Sequence, residues 1–306
     1  MGDKAVEKEK KKHRWPKRVF VAAAAAAVVV CVGFGMYASD YYHAGDAAQQ
    51  ELITWENAAQ AEGSQQAEDA QQESSAQTSE QNGSSEGNVQ EGGAVETSNP
   101  NVAAFETNSS IAVGDANAEY GVVLYPGAKV EAKAYVPLAC KLAEQGVYCV
   151  IAKMPLNFAF FKINAAGSLI EAAPNVQHWW LAGHSLGGAM GAMYVSRHTD
   201  MFEGIALLAA YSTANISESG LRVLTVYGSQ DGVLNRDKLV QYQGNLPADA
   251  QTQVIEGGNH AGVADYGAQK GDGEATISAD EQQSQTANAI VAAMKGEQAS
   301  RMQFAA

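Results

Sequence analysis

Apolar positions fall into three regimes along this chain. Residues 19–38, VFVAAAAAAVVVCVGFGMYA, are twenty residues without a charge, long enough for one helix to span a bilayer. Residues 60–100 hold almost nothing to bury. Gln, Glu, Ser, Gly and Ala dominate, with eight acids and no base over 60–99. Such a segment cannot recover the cost of ordering its backbone, which predicts a flexible acidic linker. Beyond residue 101, short apolar runs alternate with amphipathic stretches. YGVVLY (120–125), VYCVIA (147–152), QHWWLA (177–182), GIALLA (204–209), RVLTVY (222–227) and TQVI (252–255) predict strands. Continuous apolar runs bounded by Gly, Pro or polar residues are the pattern of strands buried on both faces. Residues 135–145 have helical spacing stopped by Gly146, and Ser278-Ala279-Asp280-Glu281 reads as a capping box opening a last helix that ends near Gly296. The alternation predicts an α/β domain: a mostly parallel central sheet with helices on both faces.

Charge refines this division. The first eighteen residues carry eight Lys or Arg against three acids, and no further Lys or Arg occurs until Lys129. That asymmetry predicts a single-pass protein in the cell membrane, with its N-terminus cytoplasmic and its domain outside. The resulting division is a basic cytoplasmic segment 1–18, a signal anchor 19–38, a membrane-proximal segment 39–59, a linker 60–100, an α/β domain 101–296 and a tail 297–306. Cleavage of 19–38 as a signal peptide, releasing the rest, is the alternative. For 39–59, a helix at the membrane surface and ordinary packing on the domain are both open. The net charge is −14, and the +5 of the first eighteen residues leaves −19 for the remainder, which argues against a nucleic-acid partner. Cys140 and Cys149 are open to pairing in an oxidising exterior or to standing as separate buried thiols.

The chemistry centres on WWLAGHSLGGAMG. A buried strand ends in Gly183-His184-Ser185-Leu186-Gly187, followed by a helix rich in small residues, which is the context of a G-x-S-x-G nucleophile elbow. A serine hydroxyl needs an imidazole to take its proton and a carboxylate to hold that imidazole. In a parallel sheet such groups collect beyond the carboxyl ends of strands. His13 falls in the cytoplasmic segment and His43 beside the membrane, and His178 enters the elbow strand at the wrong end. His184 adjoins the serine and diverges from it, and His198 lies thirteen residues down the following helix. His260, in GGNHAG beyond TQVI, remains as the base. Asp231, in GSQDG beyond RVLTVY, is the expected acid, ahead of Asp237 and Asp265. The oxyanion calls for preorganised N–H donors. Leu186 supplies one and the turn after YGVVLY the other, from Ala128 or alternatively Gly127.

Ser, then Asp, then His, each beyond a successive strand, is the chain order of the α/β-hydrolase fold, and residues 105–295 resemble that superfamily. LYPGAKVEAKAYVPLACKLAEQGVYCVIAKMP, LAGHSLGGAMGAMY, VYGSQDGV and EGGNHAGVADYG look like its small bacterial "alpha/beta hydrolase fold family 5" group. The resemblance implies Ser185 as nucleophile, Asp231 as acid and His260 as base. Only about a dozen residues separate GIALLA from RVLTVY, so little or no cap is expected. MPLNFAFF (154–161) is then a candidate acyl-pocket wall or, alternatively, core packing.

No metal-ligand cluster, phosphate loop or dinucleotide fingerprint is present, so no cofactor is expected. The expected activity is serine hydrolysis of a small carboxylic ester, with a peptide, lactone or thioester as the substrate alternatives. A non-catalytic binding protein on the same scaffold is the rival class.

Overall fold

The computed structural model describes residues 33–35, 37, 39–58, 60 and 103–297. The chain divides into two units, residues 1–40 and 41–306. In the first unit, the described residues 33–35, 37 and 39 are helical. Most of the expected anchor 19–38 lies outside the described residues, as do the expected linker and tail. Among the described residues no helix is long and apolar enough to cross a membrane.

The second unit is built on one eight-stranded sheet. Its strands are β1 (Ala103–Glu106), β2 (Ser110–Gly114), β3 (Tyr120–Tyr125), β4 (Val147–Ala152), β5 (His178–His184), β6 (Gly204–Leu208), β7 (Arg222–Gly228) and β8 (Gln251–Ile255). Their order is β1-β2-β4-β3-β5-β6-β7-β8. β4 to β8 run parallel, and β2 and β1 close one edge antiparallel. The fold is therefore the mostly parallel α/β arrangement that the apolar runs imply. The two antiparallel edge strands are additional to the expected set.

Helices cover both faces. α1 (46–58), α2 (Val136–Ala143) and α6 (Ala279–Met294) lie on one side, and α3 (Ala165–Glu171) and α4 (Leu186–Val195) on the other. A short α5 (Arg236–Gln241) follows β7. The period of two sorts strand residues between the layers. Val122 and Leu124 join the core with α2 and α6, while Val123 and Tyr125 face α3 and α4. α6 begins as its capping box requires, with Ser278 Oγ accepting from Glu281 N–H at 3.1 Å.

Residues 41–58 pack on the domain rather than apart from it. Tyr42 N–H donates to Lys129 O at 2.6 Å, and Glu131 N–H donates to Tyr42 O at 3.0 Å. Ala44, Ala48 and Leu52, spaced by four, are buried in the core with α2. Asp265 Oδ2 accepts from Ala48 N–H at 2.8 Å, in the first turn of α1. Of the two readings open for this segment, packing on the domain is the one found. Cys140 and Cys149 are free and buried, and burial pushes the Cys149 thiol up to about 12.

Candidate active site

Register explains why distant residues converge. In the β3–β5 pair Tyr125 stands opposite Gly183, so Gly127 and Ser185 each lie two residues beyond one rung. In the β7–β8 pair Gly228 stands opposite Ile255, so Asp231 and His260 project from neighbouring strand ends. Strand order reverses around β3, the kind of crossover point where open parallel sheets place ligands.

The elbow has the geometry the motif calls for. Ser185 has φ 52° and ψ −120° between β5 and α4, a backbone conformation that side chains disfavour and that clusters at functional sites. Its N–H donates to Leu208 O at 2.9 Å, which fixes the turn against β6. Gly187 has no room for a side chain. A Cβ there would sit 2.3 Å from Tyr125 O and 2.4 Å from Pro126 O. That close approach brings the start of α4 under the turn that holds Ala128. Among the described residues no hydrogen bond occupies the N–H of Leu186 or of Ala128. The Gly127 N–H is engaged elsewhere, donating to Tyr135 Oη at 2.8 Å, which leaves Ala128 as the available donor of that turn.

Asp231 and His260 form the buried pair. His260 Nδ1 and Asp231 Oδ2 are 2.9 Å apart, and both side chains are almost wholly inaccessible. Asp231 Oδ1 accepts from Val233 N–H at 2.9 Å and Leu234 N–H at 2.8 Å. Burial by itself would raise the Asp231 carboxyl. The His260 hydrogen bond and charge, with the two N–H donors, outweigh it and hold the group below the usual carboxylate range. A carboxylate can only accept, so Asp231 orients the His260 ring through its Nδ1 side. Gly228 permits this approach, since a Cβ there would meet Gly258 O at 2.1 Å.

The alternatives for acid and base lie elsewhere. Asp265 binds the start of α1 and Asp237 occupies the first turn of α5. His178 pairs with Glu203 at the entry end of β5, and the His198 ring stacks on Tyr194.

Two features of the site are invisible to motif reading. The first is Asp272. Its Oδ1 accepts from Gly232 N–H (3.1 Å), His260 N–H (3.1 Å) and Gly273 N–H (2.8 Å), and its Oδ2 from Ala261 N–H (2.8 Å). One carboxylate therefore ties the acid loop to the base loop. The second is a buried pair beneath the elbow. Tyr135 Oη lies 2.7 Å from His184 Nδ1, and the His184 ring sits 4.6 Å from that of His260. Burial first, and the neighbouring His260 second, hold His184 well below the usual imidazole value, so it is neutral. Tyr135 Oη thereby bridges the Gly127 turn and His184, the residue before Ser185.

MPLNFAFF divides between its two expected roles. Met154, Phe158 and Ala159 are buried, whereas Leu156, Phe160 and Phe161 are exposed. A cavity of about 1060 Å³ lies at the other end of the sheet, lined by Ser217, Arg222, Gln243 and Pro247 among others, and contains none of Ser185, Asp231 and His260. Among the described residues no three His, Cys, Asp or Glu side chains converge as a metal site.

The strand order and the elbow are those of an α/β-hydrolase fold. A family model described as "Alpha/beta hydrolase family" matches residues 121–284, more than half of the chain, and the protein belongs to that family. No curated protein matches the chain. Among solved structures it is similar to Est1E from Butyrivibrio proteoclasticus, at 14% identity over 64% of this chain and 100% of that one, with a TM-score of 0.47. A predicted CIB-like hydrolase from Thermoplasma acidophilum is 16% identical over 62% of this chain and 96% of that one, with a TM-score of 0.44. A structure described as a membrane phospholipase A, a novel bacterial virulence factor, is 12% identical over 64% and 86%, with a TM-score of 0.48. Likeness of this extent carries no argument about substrate.

Proposed function

We propose that the protein is a serine hydrolase of carboxylic esters, held by residues 19–38 on the outer face of the cell membrane. The observation that carries the chemistry is the buried Asp231–His260 pair at 2.9 Å beside a serine held at φ 52° and ψ −120°. In this reading Ser185 Oγ attacks the ester carbonyl carbon while His260 Nε2 takes its proton. Asp231 stabilises the imidazolium so formed. The carbonyl oxygen, now an oxyanion, accepts from Leu186 N–H and Ala128 N–H. Collapse breaks the bond to the alkoxide, which leaves as the alcohol with the proton from His260. Water, deprotonated by His260, then attacks the acyl-serine and releases the carboxylic acid, and the proton returns to Ser185.

The membrane part of the proposal rests on twenty uncharged residues behind eight Lys or Arg. Hydrolysis of a graded series of p-nitrophenyl esters by the full-length chain tests the chemistry. The wild type turns over, and Ser185→Ala and Asp231→Ala fall by about 10⁴-fold or more. Wild-type turnover by folded Ser185→Ala defeats the reading.

A further inference from the structure

Five non-glycine residues have positive φ among the described residues, and four border the site: Lys129 (63°), Leu156 (54°), Asn157 (57°) and Ser185 (52°). Such a backbone brings Cβ against a carbonyl, and it persists where the surroundings require it. Ser185 is accounted for by the elbow. The other three form a second unit, since Lys129 N–H donates to Asn157 O at 2.8 Å.

That unit turns apolar side chains outward. Leu156 is 54% exposed, Phe160 42% and Phe161 46%. The Phe160 and Phe161 rings are 4.2 Å apart, backed at 5.3 and 6.3 Å by the buried Phe158. The turn that carries both rings, Ala159–Lys162, packs on α4, whose first residue follows the nucleophile. The ridge therefore stands at the rim of the site. Contiguous exposed apolar surface of this kind marks an interaction site.

The chain itself indicates what the ridge meets. The apolar run 19–38 ends four residues before Tyr42, a reach of at most about 14 Å. Tyr42 N–H is bonded to Lys129 O, and Lys129 N–H to Asn157 O. The exit of the anchor is thus tied through a single residue to the base of the ridge. Lys162 lies in the same turn as the two rings, a local cation in a chain that carries −19 beyond residue 18, and a charge of this sign suits phospholipid headgroups. We infer that Leu156, Phe160 and Phe161 form a bilayer-contact surface that seats the catalytic domain, site rim downward, on the membrane holding its own anchor. Acyl esters embedded in that membrane are then the substrates within reach. This rests on the anchored reading above.

The test uses the full-length chain in phosphatidylcholine–phosphatidylglycerol vesicles, with Cys31→Ser as background because Cys140 and Cys149 are buried. A bimane is attached at Leu156→Cys or, as control, at Gln145→Cys. Gln145 is exposed at the entry end of β4, about 20 Å away along that strand at roughly 3.3 Å per residue. Side chains sunk about 5–10 Å into the interface come within range of a nitroxide on a shallow acyl carbon. Strong quenching at position 156, little at 145, and relief of the former by Phe160→Ser with Phe161→Ser is the expected result. Equal quenching at both positions, or none at 156 in protein that floats with the vesicles, overturns the inference. Protein that fails to float removes the anchor itself and this inference with it, whereas ester hydrolysis in solution is read independently of either.

Discussion

Asp272 lies twelve residues past His260 in sequence, yet its carboxylate receives three backbone N–H groups from the Asp231 and His260 loops and a fourth from its own neighbour Gly273. In Asp272→Asn one oxygen survives and can keep the Gly232, His260 and Gly273 donors. The other becomes an NH₂ group facing Ala261 N–H, donor against donor at a site where the present bond is 2.8 Å. Losing one charge-assisted bond costs about 1.5–3 kcal/mol. Neutralising the acceptor weakens the remaining three, so a total of about 2–4 kcal/mol is expected. For a domain of this size that lowers the thermal midpoint by roughly 5–10 °C. Activity falls further than stability, because the lost bond is to the residue after His260. A displacement of about 1 Å at the base costs about 10² in rate. The assay is the second-order rate of fluorophosphonate labelling, measured well below the melting transition beside a thermal scan. A fall of about 10² in that rate, in protein still fully folded at the assay temperature, marks a positioning residue. If Asp272→Asn labels and melts like the wild type, the clamp does not position the base.

Further predictions follow from the neighbouring geometry. Tyr135→Phe leaves Gly127 N–H and His184 Nδ1 without their shared partner and is expected to cost about 2–4 kcal/mol in urea unfolding, with slower labelling because the Ala128 turn loosens. His184 has a depressed value in the folded state, so its contribution to stability is intact above the unfolded value of 6.5 and is lost as pH falls below it. His184→Gln should therefore flatten the stability–pH curve of the wild type below that point, by up to about 1.4 kcal/mol per pH unit. Asp231 is also depressed, and its contribution is complete above its usual value of 3.8 and lost as pH falls through the lower folded value. Unfolding titrations of Asp231→Asn should lack that acid-limb loss. A chain beginning at residue 100 lacks Ala44, Ala48 and Leu52 from the core and should melt lower than one beginning at residue 40. Leu52→Ala alone is expected to cost about 2–5 kcal/mol.

How much of this was legible depends on where each residue gets its meaning. β3 and β4 are read directly because strands buried on both faces are unbroken apolar runs, and their bounds, Tyr120–Tyr125 and Val147–Ala152, are those expected. The Ser185, Asp231 and His260 loops are legible because strand ends order them. β1 and β2 are unmarked in the sequence because AAFE and SIAVG follow one another without the intervening helical stretch that sets off the other strands. The docking of α1 did leave a trace, the period-four stripe of Ala44, Ala48 and Leu52, obscured by the acidic segment that follows. Asp272 left none, since an aspartate between glycines looks like a turn until the His260 and Gly232 backbones are brought to it. Tyr135 is similarly silent, an aromatic residue at a helix start whose hydroxyl acquires meaning only when β3 and β5 pair.

Activation of Ser185 by His260 is tested by covalent labelling. The full-length chain is treated with a fluorophosphonate and the adduct located by peptide mass spectrometry, beside Ser185→Ala and His260→Ala. One adduct on Ser185 is expected in the wild type and none in either folded variant. An adduct on another serine, or undiminished labelling of Ser185 without His260, contradicts it.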